Sequence, residues 1–140
     1  MKIYLASPFF TDKEVAIYNE IKERLRSMGH DVFVPQEHEI ENGWEISNDD
    51  WAYQVFTMDK KALEESEVVV CLNFGMYSDS GTAWEIGYAA SQEKRVIMVL
   101  CGEENTVYSL MMIQSANIIT DILSLNLEHS TVNIGKIIQK

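Results

Sequence analysis

Glu67-Val68-Val69-Val70-Cys71-Leu72 carries one charge followed by five consecutive apolar residues, three of them adjacent valines. The run is too short for a buried helix, and its β-branched content favours a strand. A strand apolar on both faces must be covered on both, as in a parallel sheet with helices above and below. Arg95 to Leu100 reads the same way, and Lys2-Ile3-Tyr4-Leu5-Ala6, stopped by Ser7-Pro8, is a shorter strand. Asp31-Val32-Phe33-Val34 before Pro35 is a further strand, and Ile118-Ile119 marks a weak fifth. Behind the Thr-x-x-Glu capping-box spacing of Thr11-Asp12-Lys13-Glu14, Val15, Tyr18, Ile21, Leu25 and Met28 recur every three or four residues until Gly29. The spacing predicts an amphipathic helix there, and helices also fit about 49 to 65, about 81 to 92 and, finally, 132 to 138. Strands alternating with helices predict a single doubly wound α/β domain over residues 1–140, with a five-stranded parallel sheet.

The 140 residues and 16.0 kDa are the usual size of one such domain. Twenty-two acidic against 11 basic residues give a net charge of −11. That balance disfavours nucleic-acid polymers, whose phosphates are gathered by basic surfaces. No apolar run reaches the roughly 18 to 20 residues of a membrane span. Met1-Lys2-Ile3-Tyr4 runs straight into a strand without the regions of a signal peptide, so the expected location is the cytoplasm. Cys71 and Cys101 lack CxxC or metal-knuckle spacing and read as reduced core thiols.

Two segments do not fit strand or helix. Residues 36–48 are polar, with four Glu and one Trp, and read as a long loop over one end of the sheet. Residues 73–80 are rich in Gly, Asn, Ser and Asp and follow the third strand, at the carboxyl edge where open α/β sheets bind ligands. They lead into Asp79-Ser80-Gly81-Thr82-Ala83-Trp84-Glu85-Ile86-Gly87-Tyr88-Ala89, with two carboxylates six residues apart. A helix starting near Thr82 would place Glu85 in its first turn, ionised by the macrodipole and suited to act as nucleophile or base. Thr82-x-x-Glu85 is equally a capping box, in which Glu85 only folds back onto the backbone. Spacing alone leaves both open.

Several chemistries are excluded. The turn after strand one is Ser7-Pro8-Phe9-Phe10, and no GxGxxG or GxxxxGK[ST] occurs. His30, His38 and His129 are scattered, which predicts no metal site. Ser7 lacks a GxSxG elbow. What remains is carboxylate chemistry in a crevice lined by rings such as Phe9, Phe10, Trp44, Trp51 and Trp84. Rings beside carboxylates suit a flat heteroaromatic base on a sugar, and paired acidic groups are the usual apparatus of glycosidic cleavage.

These motifs together resemble the nucleoside 2-deoxyribosyltransferases, small flavodoxin-like enzymes that exchange the base of a 2′-deoxynucleoside. The resemblance rests on Ile3 to Phe10, on Phe56-x-x-Asp59 leading into Glu64-Glu65-Ser66-Glu67-Val68-Val69, on Asp79 to Ala89, and on Leu110-Met111. It implies that Glu85 is the nucleophile of a retaining double displacement, oriented by a hydrogen bond from Tyr4. Asp79 then serves the sugar hydroxyl side, and Asp59 lies near the base as the candidate proton donor, for which it needs a raised pKa. The expected substrate contacts are Asp79, Phe9, Phe10, Gly81, Glu39, Trp51, Ser109 and Met111. The resemblance further implies 2′-deoxynucleosides and free nucleobases as substrates, no metal or organic cofactor, and a homo-oligomer, hexameric or dimer-based, with sites completed across an interface.

The chain also departs from the family pattern. Ser109 stands where many members have an asparagine before Leu-Met, reaching the neighbouring subunit's site. Glu39 stands where a glutamine often contacts the base, with Gln36 and His38 close by, so base preference does not transfer. A rival class of this fold, N-glycosidases hydrolysing deoxynucleoside 5′-monophosphates, carries serine in place of Asp79 and an arginine-bearing loop after strand one. The first arginine here is Arg24, so a phosphate would need one such as Arg95 to arrive from elsewhere. A noncatalytic nucleotide-sensing domain is the third reading.

Overall fold

A computed structural model describes residues 1–140. Strands β1 (Lys2–Ala6), β2 (Asp31–Phe33), β3 (Val68–Asn73), β4 (Arg95–Leu100) and β5 (Ile118–Asp121) form one parallel sheet in the order β2-β1-β3-β4-β5. This is the flavodoxin-like order. The registers place Tyr4 beside Phe33 on one side and Val69 on the other. Every residue of β3 is buried, as its apolar run requires.

Alternation along the strands builds two cores. Ile3, Leu5, Val68, Val70, Ile97 and Val99 meet Ile21 and Leu25 of α1 (Asp12–Ser27). Tyr4, Ala6, Val69, Cys71 and Met98 meet α2 (Asn48–Glu65), α3 (Ser80–Ser91) and α4 (Leu110–Gln114) through Leu63, Ile86, Ala89, Met112 and Ile113. The sheet is therefore wound on both faces. Cys71 and Cys101 are free, buried, and in opposite cores. Thr11 caps α1 with both halves of the capping box formed. Gly29, at φ +90, supplies the left-handed turn that releases the chain into β2.

The C-terminal segment differs from the expected helix over 132 to 138. Only a single turn, Ile134–Lys136, is helical. Thr131 N–H donates to Ile119 O at 2.9 Å, and Ile137 O accepts from Tyr108 N–H at 2.8 Å, so the segment is pinned at both ends. Asn133 turns back to accept from Gly135 N–H, and Val132, Ile137 and Ile138 pack on the α2–α3 side. Their apolar contacts are met without a helix. The segment 36–48 is irregular as expected, broken by short turns at Pro35–Glu37 and Gly43–Glu45. The five-residue α4 is too short to carry a readable period and is not among the predicted helices.

Leu63 is the one buried residue of α2, whose other positions are exposed or partly exposed. Docking of this long helix rests on it. Leu63→Ala should cost about 2 to 5 kcal/mol by urea denaturation; a loss below about 1 kcal/mol would mean that other contacts hold α2 in place.

Candidate active site

The carboxyl ends of β1 and β2 open beside α2 and α3 into a cavity of about 600 Å³. Four elements line it. β1 and its loop contribute Tyr4, Ser7, Phe9 and Phe10, and the end of β2 contributes Pro35 and Gln36. α2 contributes Trp51, Val55, Asp59 and Leu63, a stripe at four-residue spacing on one helical face. The turn into α3 contributes Asp79, Ser80, Gly81, Trp84 and Glu85.

At the floor, the Tyr4 hydroxyl donates to Glu85 Oε2. Tyr4 is fully buried in β1, and its ring stacks on Phe33, which stacks in turn on His38 at 4.2 Å. Burial, and then the neighbouring Glu85 charge, raises the Tyr4 phenol well above its ordinary range. It is held as a donor. Burial pushes the Glu85 carboxyl up to about 7; the Tyr4 hydrogen bond opposes this, and the charges of Asp59 and Asp79 add to it. Burial likewise raises Asp59 to about 6, with His38 pulling weakly the other way.

The expectation of a macrodipole-stabilised Glu85 is thus overturned. Helix α3 starts at Ser80, earlier than Thr82, so Glu85 lies in the second turn, beyond the reach of the terminal dipole. The Thr82-x-x-Glu85 capping box does not form either. Asp79 is the N-cap, its Oδ2 accepting from Thr82 N and from Thr82 Oγ1, both at 2.9 Å. Released from capping, Glu85 reaches Tyr4.

Residues 3–128 match the family model described as nucleoside 2-deoxyribosyltransferase. The chain belongs to this family. It is 25% identical over 112 residues to the nucleoside deoxyribosyltransferase of Lactobacillus leichmannii, spanning 73% of this chain and 71% of that protein. Its structure is similar to that of the 2-deoxyribosyltransferase of the psychrotolerant bacterium Bacillus psychrosaccharolyticus, with a TM-score of 0.77, 28% identity, and coverage of 100% of this chain and 98% of that one. A CMP N-glycosidase of Clostridium botulinum shares the fold at a TM-score of 0.56 and 20% identity, over 86% of this chain and 87% of that one.

In this family member the cavity brings together Tyr4, Phe9, Phe10, Trp51, Asp59, Asp79, Gly81 and Glu85. Three expected contacts lie outside it. Glu39 is exposed, because the turn after Pro35 directs Gln36 inward and sends Glu37 to Arg26 and Lys22 at 2.6 and 2.9 Å. Ser109 and Met111 line a separate depression with Met76 and Tyr77, beyond α3. Trp44 is 84% exposed and also stands apart from the cavity. Arg95 does not approach it: its guanidinium donates to the Leu127 and Glu128 carbonyls. No three His, Cys, Asp or Glu side chains converge as metal ligands would.

Sequence reasoning passed over Gln36, Phe56 and Lys60 as parts of the site. Gln36 follows directly on Pro35 at the carboxyl end of a strand, a placement that could have singled it out. Its Nε2 donates to Ser7 O at 3.1 Å, while its Oε1 is buried without a partner. Asp59 Oδ1 is the other buried side-chain polar atom with none. Both belong to this cavity.

A carboxyl raised from 4.5 to about 7 binds its proton more tightly in the folded state, so its stabilising contribution is full below pH 4.5 and is lost as pH rises through 7. Glu85→Gln keeps an acceptor for Tyr4 and does not titrate. Its stability relative to the unmodified protein should therefore rise by a few kcal/mol between about pH 4 and pH 8 in thermal denaturation. A difference independent of pH would contradict the raised carboxyl.

Proposed function

We propose that the protein transfers the 2-deoxyribosyl group of a 2′-deoxynucleoside between nucleobases, by a retaining double displacement through a covalent ester on Glu85. The observation that carries this reading is the Tyr4–Glu85 hydrogen bond at the floor of an aromatic-lined cavity that holds a second raised carboxyl, Asp59. Ionised Glu85 attacks C1′ from the face opposite the base. The C1′–N bond breaks, its electron pair leaves with the base, and the Asp59 carboxyl supplies a proton to a ring nitrogen. In the second half the incoming base returns a proton to Asp59 as its nitrogen displaces Glu85. No net proton is consumed. Tyr4 holds Glu85 at one angle and stabilises its charge when the ester breaks.

The reaction requires one proton shared between two carboxyls: absent from Glu85, present on Asp59. With Glu85 near 7 and Asp59 near 6, the singly protonated pair is most populated between these values; its proton rests mainly on Glu85, and the reactive form with the proton on Asp59 is a minor tautomer that follows the same pH dependence. kcat/KM should therefore be bell-shaped in pH with its maximum at about 6.5. Asp59→Asn should remove the alkaline limb and lower the rate by about 10²- to 10⁴-fold. Glu85→Ala should abolish base exchange by about four orders of magnitude or more while the protein stays folded. Near-normal exchange by folded Glu85→Ala, detected as new deoxynucleosides by chromatography, would rule the assignment out.

Unphosphorylated nucleosides suit this cavity better than 5′-monophosphates. Asp79 Oδ2 is occupied by the cap, and Oδ1 has no protein partner, so it is free to accept from a sugar hydroxyl. Lys60 is the only basic side chain lining the cavity, and its ammonium is engaged by Glu64 at 3.3 Å and the Tyr88 ring. A phosphate dianion would face Asp79 without a free cation. Serine also caps helices, so Asp79→Ser should retain the fold, weaken nucleoside turnover and relax rejection of the monophosphate. Preference of the unmodified enzyme for the monophosphate, in kcat/KM, would replace this reading with the N-glycosidase one.

The same proposal includes a cytoplasmic homo-oligomer in which the partly exposed Ser109 and Met111, the latter 74% exposed in the single chain, face a neighbouring copy. Light scattering returning 16.0 kDa together with full activity would remove it.

A further inference from the structure

Gln36 and Asp59 present an unusual pair. Among all buried side-chain polar atoms, only Gln36 Oε1 and Asp59 Oδ1 lack a partner, and both residues line the one cavity that holds Glu85. Buried polar atoms are otherwise satisfied, so two orphans in a ligand cavity mark where a ligand supplies the missing bonds. Their chemical senses differ. The Gln36 amide is oriented by its Nε2 donating to Ser7 O, which leaves Oε1 as an acceptor only. The Asp59 carboxyl, in the protonated form that the reaction needs, is a donor.

We infer that Gln36 is a specificity-determining residue and that the base subsite selects nucleobases carrying an exocyclic amino group beside an acceptor ring nitrogen. This rests on the transferase reading above and deepens it. The amino N–H donates to Gln36 Oε1, and the neighbouring ring nitrogen accepts from Asp59. Adenine offers this pair, its 6-amino group standing beside ring acceptors, and cytosine offers it through its 4-amino group and N3. Hypoxanthine and uracil replace the amino group by a carbonyl. Their oxygen lone pairs then oppose Gln36 Oε1, and a buried acceptor stays unpaired. A site built to bond a polar group discriminates strongly against the analogue that lacks it. Glu39, at the position where relatives' glutamine was expected, takes no part, because it is exposed and does not line the cavity.

The test is competition among three free bases, adenine, unsubstituted purine and hypoxanthine, for one deoxynucleoside donor. Their product ratios give relative kcat/KM. The expected order is adenine, purine, hypoxanthine, with the first and last separated by at least about tenfold. Purine isolates the two effects, since it has neither the amino donor nor the opposing carbonyl. Gln36→Met should collapse the order to within about twofold, whereas Gln36→Glu, which keeps acceptor oxygens, should preserve it, each read at its own pH optimum. Calorimetric binding of the same bases to the unmodified protein provides an arm that needs no turnover, and it keeps the test alive if either variant fails to fold. Exchange with hypoxanthine equal to or better than adenine overturns the inference and leaves the transferase reading standing. Absence of exchange, with the expected order of binding, overturns the transferase reading and leaves the selectivity standing.

Discussion

The hydrogen bond from Tyr4 to Glu85 is the contact on which the site depends. It joins the third residue of β1 to the second turn of α3, beside β3, whose residues are all buried. A carboxyl withdrawn from water is costly unless a donor meets it. Tyr4 supplies one without supplying a cation, so the carboxyl is oriented yet not locked in its ionised form. The consequence is a group that titrates near neutrality rather than near 4.5. A lysine or arginine in place of Tyr4 would hold Glu85 ionised but would also weaken it as an attacking group.

Asp79 makes that contact available. A helix needs its first N–H groups satisfied, and Thr82 with Glu85 has the spacing to do it internally. Asp79 takes the role first, one turn earlier, and thereby lengthens α3 to begin at Ser80. Gly81 belongs to the same arrangement. A Cβ there would meet Asp79 Oδ2 at 3.3 Å, so a larger residue would press on the cap that frees Glu85. The motif is therefore mechanically ordered: glycine admits the aspartate, the aspartate caps the helix, and the helix presents the glutamate to Tyr4.

This ordering explains what was legible in the sequence. The valine run of β3 and the amphipathic period of α1 depend on neighbours within a few residues, and both were readable from pattern alone. The family motifs located the residues of the cavity floor. The protonation state of Glu85 was not readable, because it depends on which residue caps α3 and on a tyrosine 81 residues away. Gln36 and Glu39 lie three residues apart in one polar segment, and only the turn at Pro35–Glu37 decides which faces inward. The end of the chain was misread for a similar reason: Val132, Ile137 and Ile138 have partners on the sheet and at Tyr108 that no local period reveals.

Under the proposed reading, the half-exposed rings at the cavity rim acquire a function. A glutamyl ester is open to water as well as to a base, and transfer prevails only if the base arrives before water does. Phe9, Trp51, Phe56 and Trp84 are each close to half exposed, and Phe10 more so, and all five line the cavity that holds Glu85. A flat base lying against these rings covers apolar surface that nothing else in the single chain covers, and displaces water from the ester as it does so. The rings thus favour the acceptor over the solvent without adding another charged group. A further cation would relax the pair of raised carboxyls, and a further carboxylate would push both higher still. Apolar, half-covered walls are the form of substrate recognition that leaves the Glu85–Asp59 proton balance undisturbed.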